Sequence, residues 1–508
     1  MRFTYGYRHY PTVDFRFVLA AYTLELFYDN FFTTKVKAFM KNVIENKISI
    51  HELHQVCQHV HKNGDRMQMA YAWNTNKNLC EVLYFASMGP HTPFQVWRCT
   101  LDAEKTLPSQ AVESPLLGWY EREMADLYGI KLMNHPENEP LVIQARKPIN
   151  NNNDLQLLPF GPVRAGVCES AQFFYLYAGE SILHFYEKLF FKYRAMEQRF
   201  EGLMPTLGGI LSQRVSGVGS VAHVIAFSQA VESACECEIP KRAKQWRVIL
   251  SELERLYNHL HYLGHLCHTT TLKIGESQGK ILEEKVKQLN AMVTGSRFLR
   301  DIITPGGLRR EPNLKPLQNN FKKLADQILI YLDQVAKTNS HIDRLIGTGV
   351  LTHEVAFDEG ATGPVARASG HTTDFRFDHP YAAYDDFLIS KAETTSGDAL
   401  ARMQVRIKEI SDSIHIISKI TSELSDTPVF SDYEIPPYAE GLGWSESPRG
   451  GLFYAVHFDE DGKLLRVKIK SPSFSNWRVF PFTVHQTNMM DYAINEASFG
   501  STIAGCDR

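Results

Sequence analysis

Four histidines crowd one stretch of the chain: His259, His261, His265 and His268. His261 and His265 are four apart and His265 and His268 three apart, so on a helix they share a face at a spacing that can hold zinc or another metal. The stretch is strongly apolar, and packed or surface histidines are the commoner content of such a helix. The eight cysteines, Cys57, Cys80, Cys99, Cys168, Cys235, Cys237, Cys267 and Cys506, include no C-x-x-C pair. That argues against a zinc ribbon and against an iron–sulfur cluster held by this chain alone. Cys235-Glu236-Cys237 suits neither a common cluster nor an easy disulfide. Gly161, Gly166, Gly217 and Gly219 do not form a G-x-G-x-x-G after a strand, which argues against nucleotide binding by this chain.

The 508 residues are enough for two or three domains, with 44% apolar and 22% charged residues. A formal charge of −3 and the lack of a basic run exclude a polyanion as the expected partner. The start, Met1-Arg2-Phe3-Thr4, does not read as a signal peptide, and no run of 18 or more apolar residues occurs. A soluble, cytoplasmic protein is expected, touching a membrane only through partners.

The elements that must position any site fall into two blocks. Residues 1–147 read as a small α/β domain, with a helix over Thr33–Leu53 and strands over Glu81–Phe85 and Phe94–Arg98. A helix follows over Gly118–Tyr128, on which Trp119, Glu123 and Leu127 share a face, Glu121, Arg122 and Asp126 can form a charged lattice, and Gly129 is the C-cap. The asparagine run in 148–158 reads as a linker. From 159 to 508 the chain reads as mostly helical: a helix from Ser181 to Arg199 after a strand and a Gly179-Glu180 turn, and helices over Val221–Ser233, Lys244–Cys267, Lys280–Arg297, Leu317–Arg344 and Asp398–Leu424. Gly451–Phe458 and Leu464–Lys470 form a hairpin around Asp459-Glu460-Asp461-Gly462. The fold class is α+β.

A succession of motifs carries a family resemblance. Pro159-Phe160-Gly161-Pro162-Val163-Arg164-Ala165-Gly166, Tyr193-Arg194-Ala195-Met196-Glu197, Gln213-Arg214-Val215-Ser216-Gly217-Val218-Gly219, Ser251-Glu252-Leu253-Glu254-Arg255-Leu256, Gly363-Pro364-Val365-Ala366-Arg367-Ala368-Ser369-Gly370 and Asp507-Arg508 occur in that order. They resemble the large subunit of group 4 (membrane-bound, energy-converting) NiFe hydrogenases and the 49-kDa quinone-site subunit of complex I. The stretch from Tyr120 to Ile130, with His135-Pro136 and Glu139-Pro140-Leu141 after it, is similar to the signature of the 30-kDa subunit that docks on that one. The resemblance runs from about residue 30 to Arg508 and implies a fusion of both subunit types: a 30-kDa-like domain over 1–147, a linker over 148–158 and a large-subunit-like domain over 159–508.

That family holds nickel and iron with four thiolates, because soft sulfur suits those metals. The resemblance puts Ser216, Gly219, Thr502 and Gly505 at the four ligand positions, so no nickel is expected. The complex I quinone residues are also replaced, a tyrosine by Gly217 and a histidine by Arg164. What the resemblance leaves is a hypothetical pocket lined by Arg164, Glu197 and Arg214 and a polar network of Arg194, Glu252, Glu254, Arg255, Arg367, Asp374, Arg376 and Arg449. Such networks relay protons or fix helix packing.

The chain is thus expected to be a peripheral-arm subunit on the cytoplasmic face of the inner membrane. Its implied partners are a small Fe–S subunit and integral-membrane, ion-translocating subunits, with no cofactor held by the chain itself and a quinone as one acceptor. Three readings stay open. An oxidoreductase pocket would be lined by Arg164, Glu197 and Arg214; a non-catalytic assembly and coupling subunit would have it filled by Val215, Val218 and Phe499; a different metal would gather His261, His265 and a third ligand.

Overall fold

The computed structural model describes residues 43–75, 79–142, 156–164, 169–387, 394–485 and 487–508. The asparagine-rich linker up to residue 155 and the stretch 33–42 lie outside them.

In the N-terminal domain β1 (Val43–Lys47), β2 (Arg66–Asn74), β3 (Cys80–Ser87) and β4 (Phe94–Thr100) form one sheet in the order β1-β4-β3-β2. β1 runs parallel to β4, with Val43 opposite Phe94, and the other pairs are antiparallel. β2, β3 and β4 are nearly continuous runs of buried residues, as strands covered on both faces must be. The expected helix over Thr33–Leu53 fails at its C-terminal half. Val43-Ile44-Glu45 is drawn into the sheet edge, where pairing outweighs the helix preference of the neighbouring lysines and glutamates. The helix that does form, α1 (Leu53–Lys62), starts where that expectation ended. β5 (Thr106–Pro108) and β6 (Lys131–Met133) pair in parallel around α2 (Gly118–Tyr128).

α2 ends as its sequence requires: Gly129 takes φ 68°, the left-handed conformation that glycine adopts without strain, and donates its N–H to Ala125. The charged lattice expected on α2 does not form. Glu121 is fully buried and accepts from Ser109, Tyr84 and the Gln110 N–H; Arg122 pairs with Glu137; Asp126 accepts from the N–H groups of Leu141 and Val142. Each side chain is claimed by the turns that wrap the helix.

The second sheet, in the order β15-β9-β8-β7, combines β7 (Gln156–Phe160), β8 (Gln172–Ala178), β9 (Ser181–Lys188) and β15 (Thr487–Asn488). Here the helix expected from Ser181 to Arg199 is overturned. Gly179-Glu180 closes a two-residue hairpin, Ser181 pairs back with Ala178, and Ile182 and Phe185 enter the core. β7 takes up Gln156, Leu157 and Leu158, which the sequence reading had placed in the linker.

The helical body consists of α3 (Pro205–Ser212), α4 (Ser220–Ala234), α5 (Lys241–Thr269), α6 (Lys273–Thr294), α7 (Lys315–Ala336) and α8 (Asn339–Leu345), then the short α9 (His353–Asp358), α10 (Pro364–Ala368) and α11 (Phe375–Asp378), and the long α12 (Ala399–Ser422). α5 is central: Leu250, Leu253, Leu256, Leu260 and Leu263, spaced by three or four, are all fully buried. Pro305-Gly306-Gly307 makes a small hairpin between β10 (Ile303–Thr304) and β11 (Gly307–Leu308).

β12 (Glu440–Ser447), β13 (Gly450–Phe458) and β14 (Leu464–Lys470) form an antiparallel sheet between α4 and the N-terminal domain. Gly441 and Gly443 let β12 lie directly on α4, because a Cβ at either would overlap the carbonyl oxygens of Ala230 and Ala226. The chain closes with α13 (Pro472–Val479), α14 (Tyr492–Phe499) and α15 (Ile503–Asp507). No helix among the described residues is long and apolar enough to cross a membrane.

Candidate functional site

Two loops meet at the centre of the helical body. One is Gln213–Gly219, between α3 and α4; the other is 500–502, between α14 and α15, together with the α15 residues that follow it. Arg194 joins them. Its Nη2 donates to the Val215 carbonyl at 2.6 Å and the Ala504 carbonyl at 2.9 Å, and its Nη1 to the Arg214 carbonyl at 3.2 Å. A second bridge runs through α5: Asn258 donates to the Val218 carbonyl at 2.8 Å and accepts from Arg449 Nη1 at 2.9 Å, and Arg449 Nε donates to the Gly500 carbonyl at 2.7 Å. The loops are therefore held by guanidinium and amide donors on backbone carbonyls.

Within the first loop Ser216 is buried, and a Cβ on Gly219 would meet the His223 ring at 3.5 Å and the Ser216 carbonyl oxygen at 4.0 Å. In the second, Thr502 caps α15 by accepting from the Gly505 N–H at 3.2 Å, and its hydroxyl lies 3.2 Å from that of Ser473. A Cβ on Gly505 would stand 2.7 Å from Thr502 Oγ1 and 3.1 and 3.2 Å from the hydroxyls of Ser471 and Ser473. The space beside Gly505 is thus closed by hydroxyls. Cys506 is fully buried, and burial pushes its thiol well above the ordinary value.

Glu254, on α5, accepts from the N–H groups of Val221 and Ala222 at 2.7 and 3.0 Å and so caps the N-terminus of α4, just after the first loop. Burial pushes it up to about 7, against the opposing pull of those two amides. Asp507 holds the N–H groups of Phe190 and Lys192, and burial raises it to about 6.

Glu197 belongs to a different structure. It lies in a buried ion cluster with Arg466 at 2.7 Å, Lys468 at 3.1 Å and Arg508 at 3.3 Å, and Glu123 of α2 shares Lys468 at 2.5 Å and Arg508 at 2.7 Å. The cluster ties the N-terminal domain to the helical body. Burial alone would raise Glu197, but Lys468, Arg466 and Arg508 outweigh it and hold the carboxylate below its ordinary range. At neutral pH it is a fixed anion rather than a proton carrier.

A larger cluster lies deeper. Arg255 pairs with Glu252 and Glu409, each at 3.1 Å; Arg367 pairs with Glu409 at 2.7 Å and Glu446 at 2.9 Å; Arg376 pairs with Asp374 at 2.7 Å and Glu252 at 3.4 Å. Tyr384 and Ser413 each donate to Glu252 at 2.5 Å. The three arginines thus face four carboxylates, Glu252, Asp374, Glu409 and Glu446, the last pushed up by burial against the pull of Arg367. Five residues singled out in the sequence, Glu252, Arg255, Arg367, Asp374 and Arg376, are thereby brought together. Sequence reasoning missed Glu409, Glu446 and Tyr384; His259, read there as part of the histidine row, completes the cluster with its Nε2 at 2.9 Å from Glu409. No local motif marks Glu409 on α12, Glu446 on β12 or Tyr384 between α11 and α12.

The three residues expected to line one pocket make their contacts in three places. Arg164 pairs with Glu496 at 2.7 Å and lies over the Phe173 ring at 4.7 Å; Glu197 sits in the interdomain cluster; the Arg214 side chain is exposed beside the first loop. Of the expected plug, Val215 and Phe499 are fully buried, whereas Val218 is half-buried and presents its carbonyl. The histidine row also divides. His259 faces the deep cluster, while His261 and His268 are exposed and pair with Glu283 and Glu276, each at 3.0 Å. Among the described residues no three histidine, cysteine or carboxylate side chains converge as a metal cage.

Known families match successive parts of the chain. Residues 46–152 match the 30 Kd subunit of respiratory-chain NADH dehydrogenase, residues 194–274 nickel-dependent hydrogenase, and residues 281–440 and 431–508 the 49 Kd subunit of respiratory-chain NADH dehydrogenase. Formate hydrogenlyase subunit 5 of Escherichia coli is 28% identical over 465 residues, covering 84% of this chain and 82% of its own length. Hydrogenase-4 component G of the same organism is 28% identical over 501 residues, covering 91% and 87%. The fold is shared with a chain of the membrane-bound sulfane sulfur reductase, an archaeal respiratory membrane complex, at a TM-score of 0.66 and 24% identity over 71% of this chain and 100% of that one. The chain thus joins a 30-kDa-type segment, a nickel-dependent-hydrogenase-type segment and a 49-kDa-type segment, and is similar along most of its length to subunits of formate hydrogenlyase and hydrogenase-4.

Proposed function

We propose that this chain is the peripheral-arm subunit of a membrane-bound, ion-translocating oxidoreductase complex. It takes electrons from an Fe–S partner and passes them to an acceptor, a quinone being one, at the junction of the two loops. The observation that carries this reading is the Arg194 bridge between Val215 and Ala504, which unites the loops that the resemblance assigns to the redox centre. The residues at that junction do not fit a nickel–iron group. Ser216 and Thr502 are hard hydroxyl donors, Gly219 and Gly505 have no side chain, and the place of a Cβ at Gly505 is filled by hydroxyls. Glu254, poised near neutrality at the start of α4, is the group in reach to exchange a proton there, in place of Glu197.

A second reading is an assembly and conformational-coupling subunit. It is favoured by the complete burial of Val215 and Phe499. Under either reading the chain sits on the cytoplasmic face of the membrane, with a docking domain over 1–147, a linker over 148–158 and the large-subunit domain over 159–508.

Metal analysis and cofactor extraction of the purified complex test both. Iron confined to the Fe–S partner, no nickel and a bound quinone support the acceptor reading. Neither nickel nor quinone supports the coupler, and stoichiometric nickel overturns the assignment of Ser216, Gly219, Thr502 and Gly505.

A further inference from the structure

We propose that the groove between α6 and α7 is the docking site of an acidic amphipathic helix from another subunit of the complex. The groove encloses about 750 Å³. Its apolar lining comes from Ile274 and Ile281, seven apart and so on one face of α6, and from Ile330 of α7. These three are 79%, 56% and 57% exposed, while Val286, Leu289 and Tyr331 of the same helices turn into the core. Lys273 and Lys285 also line the groove, about 18 Å apart along α6, and no carboxylate lines it. Lys285 donates to the neutral Gln327 Oε1 at 2.8 Å and, among the described residues, has no carboxylate within ion-pair distance. Lys273 reaches Glu276 at 3.0 Å, but Lys280 and His268 hold the same carboxylate at 2.6 and 3.0 Å. The groove is therefore apolar along its length and positive at both ends.

Charge selects the occupant. Residues 1–42 of this chain carry Arg2, Arg8, Arg16, Lys35, Lys37 and Lys41 against three acidic residues, so the lysines of the groove repel them. A second copy meeting the groove through its own would set lysine against lysine. A helix of about three turns matches the 18 Å length: its apolar stripe, spaced by three or four, lies against Ile274, Ile281 and Ile330, and carboxylates at its two ends meet Lys273 and Lys285. Complementary charge at the ends fixes the register that the apolar contact leaves open. The inference rests on the reading of the chain as one subunit of a larger complex and gives one of its contacts a chemistry.

The test is photocrosslinking in the purified complex, with Ile281→p-benzoylphenylalanine as the probe and the joined peptide identified by mass spectrometry. The expected product is one segment of another subunit, with apolar residues at helical spacing and aspartate or glutamate at its ends. K285E should then lower the crosslink yield about threefold or more, and lysine in place of the facing acid of that segment should restore it. I274E should lower it likewise. All three side chains are exposed, so the thermal midpoint of the chain should not move. A crosslink to residues 1–42, to a second copy, to lipid or to a basic segment overturns the proposal, as does a yield that K285E leaves unchanged. A complex that assembles and gives no crosslink at position 281 defeats the groove assignment alone. A chain that purifies without any other subunit defeats the reading as a subunit and the docking site with it.

Discussion

Glu197→Gln tests the interdomain cluster. Two carboxylates, Glu123 and Glu197, face three cations, Arg466, Lys468 and Arg508, all buried. The substitution leaves three cations around one anion. Breaking a buried pair by removing one partner costs about 3–5 kcal/mol, since the stranded charge can neither reach water nor find another partner. That is a large part of the roughly 5–15 kcal/mol that holds an ordinary domain. The pH dependence has a definite sign. A carboxylate held below its ordinary value stabilises the fold fully above about pH 4.5 and loses that contribution as pH falls through the lowered value, so acid should selectively weaken the wild type and spare E197Q. The assay is urea unfolding of the full chain at pH 7 and pH 4, read by circular dichroism, with limited proteolysis to report separation of the domains. A double-mutant cycle with Glu123→Gln should give non-additive losses, because both carboxylates neutralise Lys468 and Arg508. If E197Q loses less than about 1 kcal/mol and keeps its protease resistance, the cluster does not hold the domains and the reasoning fails.

Glu254 has the opposite sign. Its native value is raised to about 7, so the native state keeps a proton that the unfolded chain has lost, and stability should fall as pH rises from about 4.5 to 7; E254Q should flatten that slope in unfolding midpoints measured across the range. Gly505→Ala places a Cβ 2.7 Å from Thr502 Oγ1 and should cost about 1–3 kcal/mol in thermal unfolding, a loss that Thr502→Ala in the same chain should partly restore. Gly441→Ala drives a Cβ into the Ala230 carbonyl and should give mostly insoluble or unfolded protein, as gel filtration would show. Glu409→Gln unbalances Arg255 and Arg367 together and should cost about 3–5 kcal/mol in urea unfolding.

The long helices were legible because their apolar residues recur with the helical period: the leucine row of α5 is buried just as its spacing implied. The β13–β14 hairpin and the Gly129 stop were legible because turn chemistry is local. The failures share one cause. Val43–Lys47 and Ser181–Lys188 contain helix formers, and what makes them strands is a neighbour far away in sequence or a two-residue turn read as a helix start. The charged site was half legible. Motif positions named Glu252, Arg255, Arg367, Asp374 and Arg376, which do assemble, but no local pattern says that Glu409 and Glu446 complete them or that Glu197 turns away to the other domain. Charge pairing across more than a hundred residues of chain leaves no periodic trace.

The sharing of Lys468 and Arg508 between Glu123 and Glu197 also bears on how such a subunit can be made. Were the two domains separate polypeptides, the larger would carry a surplus of interior positive charge until the smaller arrived, and its folding would wait on a collision whose rate depends on concentration. One continuous chain turns that encounter into an intramolecular event at an effective concentration set by the tether. The fusion thus fixes the ratio of the two domains at one to one and makes the supply of Glu123 independent of how much protein the cell contains.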